Sequence, residues 1–243
     1  MSSFSSNIIS ILAHFIPTGM KLPILSGPLK GYFWIAGAAA GEGKGLSVIF
    51  NFSEVFQLTT AMQNTTNNSI CFDIGANVGF YSLLFSRYGK EVVSFEPLTR
   101  NIFYLYQIIA INKINNIRIV SCAVSESVDF CWFVEGNNCA EGKIDRSGKI
   151  PVFVISIDHF ISKTNIIPDI MKIDVEGAEL SVLFGARKCI SENRPKLLIS
   201  MHGEQLRSDC IAFVSEYNYD VVPLDNKDVG SAFEFLFLPQ SQK

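Results

Sequence analysis

From residue 69 onward the chain alternates short apolar runs with longer stretches of helical periodicity, and this order restricts the fold more than any other feature. SICFD (69–73), EVVSFE (91–96), Ile117 to Cys122, DIMKID (169–174) and KLLISM (196–201) read as strands. Val78 to Tyr88, Leu98 to Asn112, Gly177 to Ile190 and Gln205 to Tyr217 read as the helices between and after them. Strand–helix–strand repetition implies parallel pairing through right-handed crossovers, hence an open, doubly wound α/β sheet with helices on both faces. Asp220 to Leu224 and Phe233 to Leu238 fit closing strands, the last with an antiparallel direction open.

A chain of 243 residues, 48% apolar and with 20 Phe, can bury such a sheet on both faces in one domain. The expected division is an N-terminal extension over 1–68 and the α/β domain over 69–243. Within the extension, Phe4, Ile8, Ile11, Leu12 and Phe15 fall on one helical stripe. That stripe is expected to pack on its own domain or on a second subunit, which leaves a homo-oligomer open. A membrane-surface helix is the less favoured reading, because no Lys or Arg lies between Met1 and Gly19. IISILAHFI (8–16) is too short to span a bilayer and lacks the flanks of a signal peptide.

Residues 17–48 are rich in Gly, Pro and small side chains and read as irregular, with a short strand or two around Tyr32 to Ala36. Gly43-Lys44 is not a phosphate loop, since Gly45 and Ala38 stand where that motif requires Ser or Thr and Gly. A net charge of −3 without a basic run argues against a nucleic-acid substrate. The six cysteines show no metal-ligand spacing and read as free thiols of a cytoplasmic protein. The sequons at Asn51, Asn64 and Asn67 matter only in a secreted chain. His14 and His159 receive no site role, and Asp158 reads as a helix cap.

In an open parallel sheet, ligands bind beyond the carboxyl ends of the strands where strand order reverses. Asp73 through Gly79, Glu96, the segment after Cys122, Asp174 with Glu176, and His202 all follow predicted strands. In DIGANVG (73–79), Gly75 permits a tight turn, and the following helix offers its positive end to an anionic group. Its G-x-x-x-G spacing departs from the dinucleotide fingerprint, so a nicotinamide oxidoreductase is disfavoured. Glu96 lies 23 residues after Asp73, a suitable distance for an acid that accepts ribose hydroxyls.

DIGANVGFYS, FEPLTRN (95–101), CAVS (122–125) and MKIDVEGAE (171–179) together resemble the FkbM family of methyltransferases, over about Ser69 to Tyr219. GPLKGYFW (27–34) also resembles a lead-in seen in bacterial members. The resemblance implies a class I methyltransferase fold that binds S-adenosylmethionine. It would place Asp73, Gly75, Asn77 and Gly79 around the methionine moiety, Glu96 on the ribose, and Ala123 and Val124 along the adenine. It further implies O-methylation of a hydroxyl on a sugar, glycan or other small natural product. A non-catalytic scaffold of the same fold is the alternative.

A hydroxyl acceptor calls for a base, and His202 has the most suitable ordinary pKa. Asp174 could hold the cofactor's amino group or position the acceptor, and Glu176 stands close by. Glu179 is explained as a carboxylate at a helix N-terminus. Many family members carry Glu where this chain has Ser200. Asp174 and Glu176 offer oxygens to Mg²⁺, but no complete ligand set follows from the sequence, so no metal ligand is assigned.

Overall fold

The computed structural model describes residues 13–39, 44–52, 54–135, 142–144, 147–224 and 228–240. Most of the expected N-terminal helix therefore lies outside the described residues, as does Cys139. The chain opens with an antiparallel hairpin, β1 (Lys21–Pro23) and β2 (Phe33–Ile35), in which Leu22 faces Trp34. Helices α1 (Leu46–Ile49) and α2 (Val55–Asn64) lead to β3 (Ile70–Ile74), α3 (Phe80–Tyr88), β4 (Glu91–Phe95), α4 (Thr99–Ile111) and β5 (Ile117–Val120).

Four short strands follow: β6 (Ala123–Val124), β7 (Asp129–Glu135), β8 (Gly142–Ile144) and β9 (Ile150–Ile155). The chain then runs through α5 (Ile157–Thr164), β10 (Ile170–Ile173), α6 (Glu179–Gly185), α7 (Arg187–Glu192) and β11 (Lys196–Ser200). It closes with α8 (Glu204–Ser215), β12 (Tyr219–Pro223) and β13 (Glu234–Pro239).

The central sheet has the order β12-β13-β11-β10-β3-β4-β5. β11, β10, β3, β4 and β5 are parallel, while β13 runs antiparallel to both β11 and β12. From β3 the chain builds outward through β4 to β5, then returns to the other side of β3 with β10. The order reverses between β3 and β10, and a crevice opens above their carboxyl ends.

Strand alternation divides the core in two, because successive side chains point to opposite faces. Phe72, Ile74, Val93, Phe95, Met171, Ile173, Leu197 and Ile199 pack under α5, α6, α7 and α8. Phe160 on α5 meets Phe72 and Phe95 edge-on at 5.6 and 5.1 Å, contacts worth about 0.5–1.5 kcal/mol each beyond their buried area. On the other face, Cys71, Val92, Ile170 and Leu198 pack against α3 and against Ile24, Leu29, Trp34 and Ile49. Residues of the expected extension thus share a core with the sheet.

Three local expectations differ from the structure. The helix expected over 177–190 is two helices, with Ala186 at φ −111° between them. Asp158 does not cap its own helix: Ser156 accepts from His159 N at 3.2 Å, and Asp158 takes the Lys188 and Cys189 amides, both at 2.9 Å, at the start of α7. The sheet β6-β9-β7-β8 was not anticipated. Its strands alternate Phe130, Trp132 and Phe153 outward with Phe133, Val152 and Val154 inward, so both faces are apolar and the usual polar-out signal is missing. Cys71, Cys122, Cys131, Cys189 and Cys210 are free thiols. No helix among the described residues is long and apolar enough to cross a membrane.

Candidate active site

Above the switch point lies a cleft of about 370 Å³. Asp73, Gly75, Asn77, Glu96, Ala123, Val124, Asp174, Glu176 and His202 all line it. Its first wall is the turn after β3. Gly75 takes φ +80°, and its N–H and that of Ala76 both donate to Phe95 O at 3.0 Å, pinning the turn to the end of β4. A side chain at Gly75 would meet not the cleft but the Asp174 carbonyl oxygen, 1.9 Å from the position of its Cβ. The glycine therefore lets two strand ends touch.

Gly79, unlike Gly75, does not line the cleft. It precedes α3 at φ +95°, and its open side is covered by Leu105. Asp73 is 2% exposed and accepts from Ser82 Oγ at 2.5 Å. Burial pushes its pKa up to about 6, with Ser82 and Lys172 holding it back from rising further.

Glu96 stands at the end of β4, 4% exposed. One oxygen accepts from Leu98 N at 2.9 Å and Asn101 Nδ2 at 3.1 Å, the other from Asn77 N at 2.8 Å. Burial raises its pKa while these three donors favour the charge. They fix the carboxylate, leaving one lone pair of Oε2 for a ligand hydroxyl. Beside it, Asn77 at φ +50° has a buried Oδ1 with no partner. Ala123 and Val124, buried in the pairing of β6 with β9, supply an apolar wall.

The other end of the cleft is ionic and was largely missed from the sequence. Lys172 is 1% exposed, because β10 is covered on both faces. Its Nζ lies 3.2 Å from Asp174 Oδ2, donates to Ser200 Oγ, and sits 5.0 Å above the Tyr81 ring. Burial would discharge it, but Asp174, Glu234 and Glu54 outweigh burial and hold its pKa above the ordinary lysine value. Ser200 Oγ passes a hydrogen bond to Glu234 Oε2 at 2.9 Å, and Tyr81 OH donates to Glu54 Oε2 at 2.7 Å. Burial pushes Glu234 up to about 7, against the pull of Lys172 and Ser200. Ser200 and Glu234 are register partners on β11 and β13, so a cross-strand carboxylate reaches the side chain of Ser200.

Past β11, His202 Nδ1 lies 2.9 Å from Glu179 Oε1. Its Nε2 faces Glu176 Oε2 at 3.5 Å and Asp174 Oδ1 at 3.7 Å. The bond to Glu179, helped by the other two carboxylates and opposed by burial, lifts the imidazole to about 9. At neutral pH this His202 is a cation, unlike the ordinary imidazole expected of it. Glu179 is fully buried and also accepts from Val175 N and Gly177 N, at 3.3 and 3.1 Å. It holds the loop and the histidine together, a role that its place at a helix start did not reveal.

The Methyltransferase FkbM domain matches residues 73–221, more than half of the chain and the whole run from the glycine turn to β12. The chain belongs to the FkbM methyltransferase family. No curated protein matches it in sequence. Among solved structures, methyltransferase FkbM from Methylobacillus flagellatus KT is 21% identical with a TM-score of 0.52, covering 83% of this chain and 56% of that one. The FkbM chain described here thus spans little more than half the length of that relative. SMU.1697c, a putative methyltransferase from Streptococcus mutans in complex with SAH, is 14% identical with a TM-score of 0.49, covering 74% and 93% of the two chains. An rRNA methylase from Streptococcus thermophilus is 11% identical, also with a TM-score of 0.49, covering 75% and 92%. The fold of this FkbM chain is the class I, Rossmann-like methyltransferase sheet with helices on both faces.

Proposed function

We propose that this chain is an S-adenosylmethionine-dependent O-methyltransferase acting on a hydroxyl of a sugar, glycan or other small natural product. The observation that carries the reading is the division of one cleft into two chemically different ends. Glu96 with the Asn77 turn and the Ala123–Val124 wall forms one end, and the carboxylates around Lys172 form the other. The first end suits a nucleoside with an amino-acid tail. Glu96 accepts ribose hydroxyls, Ala123 and Val124 cover an apolar base, and the unpartnered Asn77 Oδ1 accepts from an ammonium. The volume is ordinary for a small-molecule site.

Bound there, S-adenosylmethionine supplies a methyl group activated on sulfonium sulfur. The chain aligns the acceptor and takes one proton. Asp174, Glu234 and Glu54 accept hydrogen bonds from a polyhydroxylated acceptor, while Lys172 keeps their mutual repulsion in check. Held by Glu96, Asn77 and the Ala123–Val124 wall, the cofactor would give its methyl carbon to the acceptor oxygen and keep the carbon–sulfur electron pair on the departing thioether sulfur. The hydroxyl proton passes to Glu234, a carboxylate raised to about 7 and thus matched to a general base near neutrality. Imidazolium His202 is not free to take that proton.

The test is transfer of labelled methyl from S-adenosylmethionine to a panel of glycosides and hydroxylated small molecules, with the product linkage determined. An ether is expected. Methyl found on nitrogen, carbon or sulfur overturns the oxygen assignment.

A further inference from the structure

Asp174 ends β10, Glu176 follows two residues later, and His202 follows β11, so three side chains from two strand ends meet at the rim of the cleft. The separations from His202 Nε2 to Asp174 Oδ1 and Glu176 Oε2, 3.7 and 3.5 Å, are long for hydrogen bonds. They are close to the spacing of ligands that share a metal. With bonds of about 2.0–2.2 Å and angles of roughly 90–110°, neighbouring ligand atoms stand about 2.8–3.6 Å apart. One ligand atom from each of the three residues can be chosen with all of them within 4.8 Å of one another.

Two further observations point to a cation. Glu179 is fully buried and engages Nδ1 of His202 at 2.9 Å, which keeps a proton on Nδ1, so that a metal ion has only the Nε2 proton to displace to bind the nitrogen that faces Asp174 and Glu176. That carboxylate–histidine arrangement orients imidazole ligands in metal sites. Its other oxygen, Glu179 Oε2, is buried without a partner. Glu176 also takes φ +53°, a conformation costly for a residue of its kind and frequent at ligand clamps.

We infer that Asp174, Glu176 and His202 form a binding site for one first-row divalent cation, with Glu179 orienting the histidine. One imidazole and two carboxylates suit the Mn²⁺ to Zn²⁺ range, which tolerates mixed nitrogen and oxygen ligands. Three protein ligands leave positions open, and because all three residues line the cleft the ion would be able to hold an acceptor oxygen there. That role rests on the methyl-transfer reading; binding of the ion does not.

The experiment uses the full chain, stripped of metal with EDTA, freed of the chelator and titrated with MnCl₂ while free Mn²⁺ is followed by electron paramagnetic resonance. Wild type should bind one Mn²⁺ per chain, with nitrogen modulation from a coordinated imidazole in the pulsed spectrum. In His202→Gln the modulation should vanish and affinity should fall, and Glu179→Gln should weaken binding by about 10–100-fold. If Glu179→Gln does not fold, His202→Gln at its half-exposed position carries the test, its fold checked by circular dichroism. Absence of saturable binding, or equal affinity in wild type and His202→Gln, overturns the site. S-adenosylmethionine affinity is measured on the same samples. Lost metal with intact cofactor binding removes only the ion, while intact metal without cofactor binding removes the methyl-transfer reading.

Discussion

Replacing Gly75 by alanine separates two explanations of the glycine turn. Its Cβ would lie 1.9 Å from the Asp174 carbonyl oxygen, so that oxygen must retreat by more than about 1 Å to reach even a tight contact. The backbone there is held on both sides, by Asp174 N to Ile74 O at 3.0 Å and by Gly75 N and Ala76 N to Phe95 O. Left-handed φ costs a non-glycine residue about 1–2 kcal/mol. Forcing the strand ends apart adds about 1–3 kcal/mol, the range for overpacking. Gly75→Ala should therefore destabilise the cofactor-free protein by about 2–5 kcal/mol, or roughly 4–20 °C in Tm for a chain of this size. Gly79→Ala should cost less, since its Cβ meets only the end of the Leu105 side chain. Thermal and urea unfolding, followed by circular dichroism without ligand, measure both. A Gly75→Ala protein that melts like wild type and loses only cofactor affinity would refute the argument and show that the missing side chain makes room for a ligand.

Asp73→Asn tests the buried carboxylate through pH. The folded pKa of about 6 lies above the ordinary 3.8, so protonation favours folding below pH 3.8 and that benefit is lost as pH rises through 6. Asparagine lacks the effect, so the variant should gain on wild type by on the order of 3 kcal/mol between pH 4 and 7; parallel stability curves would contradict it. Trp34→Ala removes a fully buried ring packed edge-on against Phe80 and should cost about 3–5 kcal/mol in urea unfolding. Glu234→Gln should lower the chemical step by about 10²–10⁴-fold and abolish the loss of kcat/KM below pH 7, whereas an intact acid limb would exclude Glu234 as the base.

The parallel sheet was legible because its strands are short apolar runs set between stretches of helical periodicity, with β3, β4 and β10 each closing near a carboxylate. The cofactor end of the cleft was legible for the same reason: Asp73 to Asn77, Glu96 and Ala123 to Val124 follow strands directly. What escaped notice depended on contacts between distant segments. Lys172 reads as a surface charge in MKID until both faces of β10 are seen to be covered. Glu234 lies 34 residues from Ser200 and meets it only through the antiparallel register of β13. Glu54 reaches the site through Tyr81, across 27 residues. The imidazole of His202 was judged from its ordinary pKa, whereas its charge is set by Glu179, a residue already explained by its place at a helix start. Ile24 and Leu29, within an irregular glycine- and proline-rich stretch, are core residues. Deleting residues 1–30 would therefore unsettle the sheet itself.

The central claim is that the β3–β10 crevice holds S-adenosylmethionine through Glu96, and isothermal titration calorimetry tests it most directly. Wild type should bind one S-adenosylmethionine per chain and show no comparable heat with NAD. In Glu96→Gln the charge is lost and a side-chain N–H₂ faces the Asn77 amide, leaving the ribose hydroxyls without their acceptor. Affinity should fall by about 1.5–3 kcal/mol, roughly 10- to 150-fold, in a variant that remains folded. Equal affinity in the folded Glu96→Gln protein, or NAD binding as tight as S-adenosylmethionine, would contradict the account.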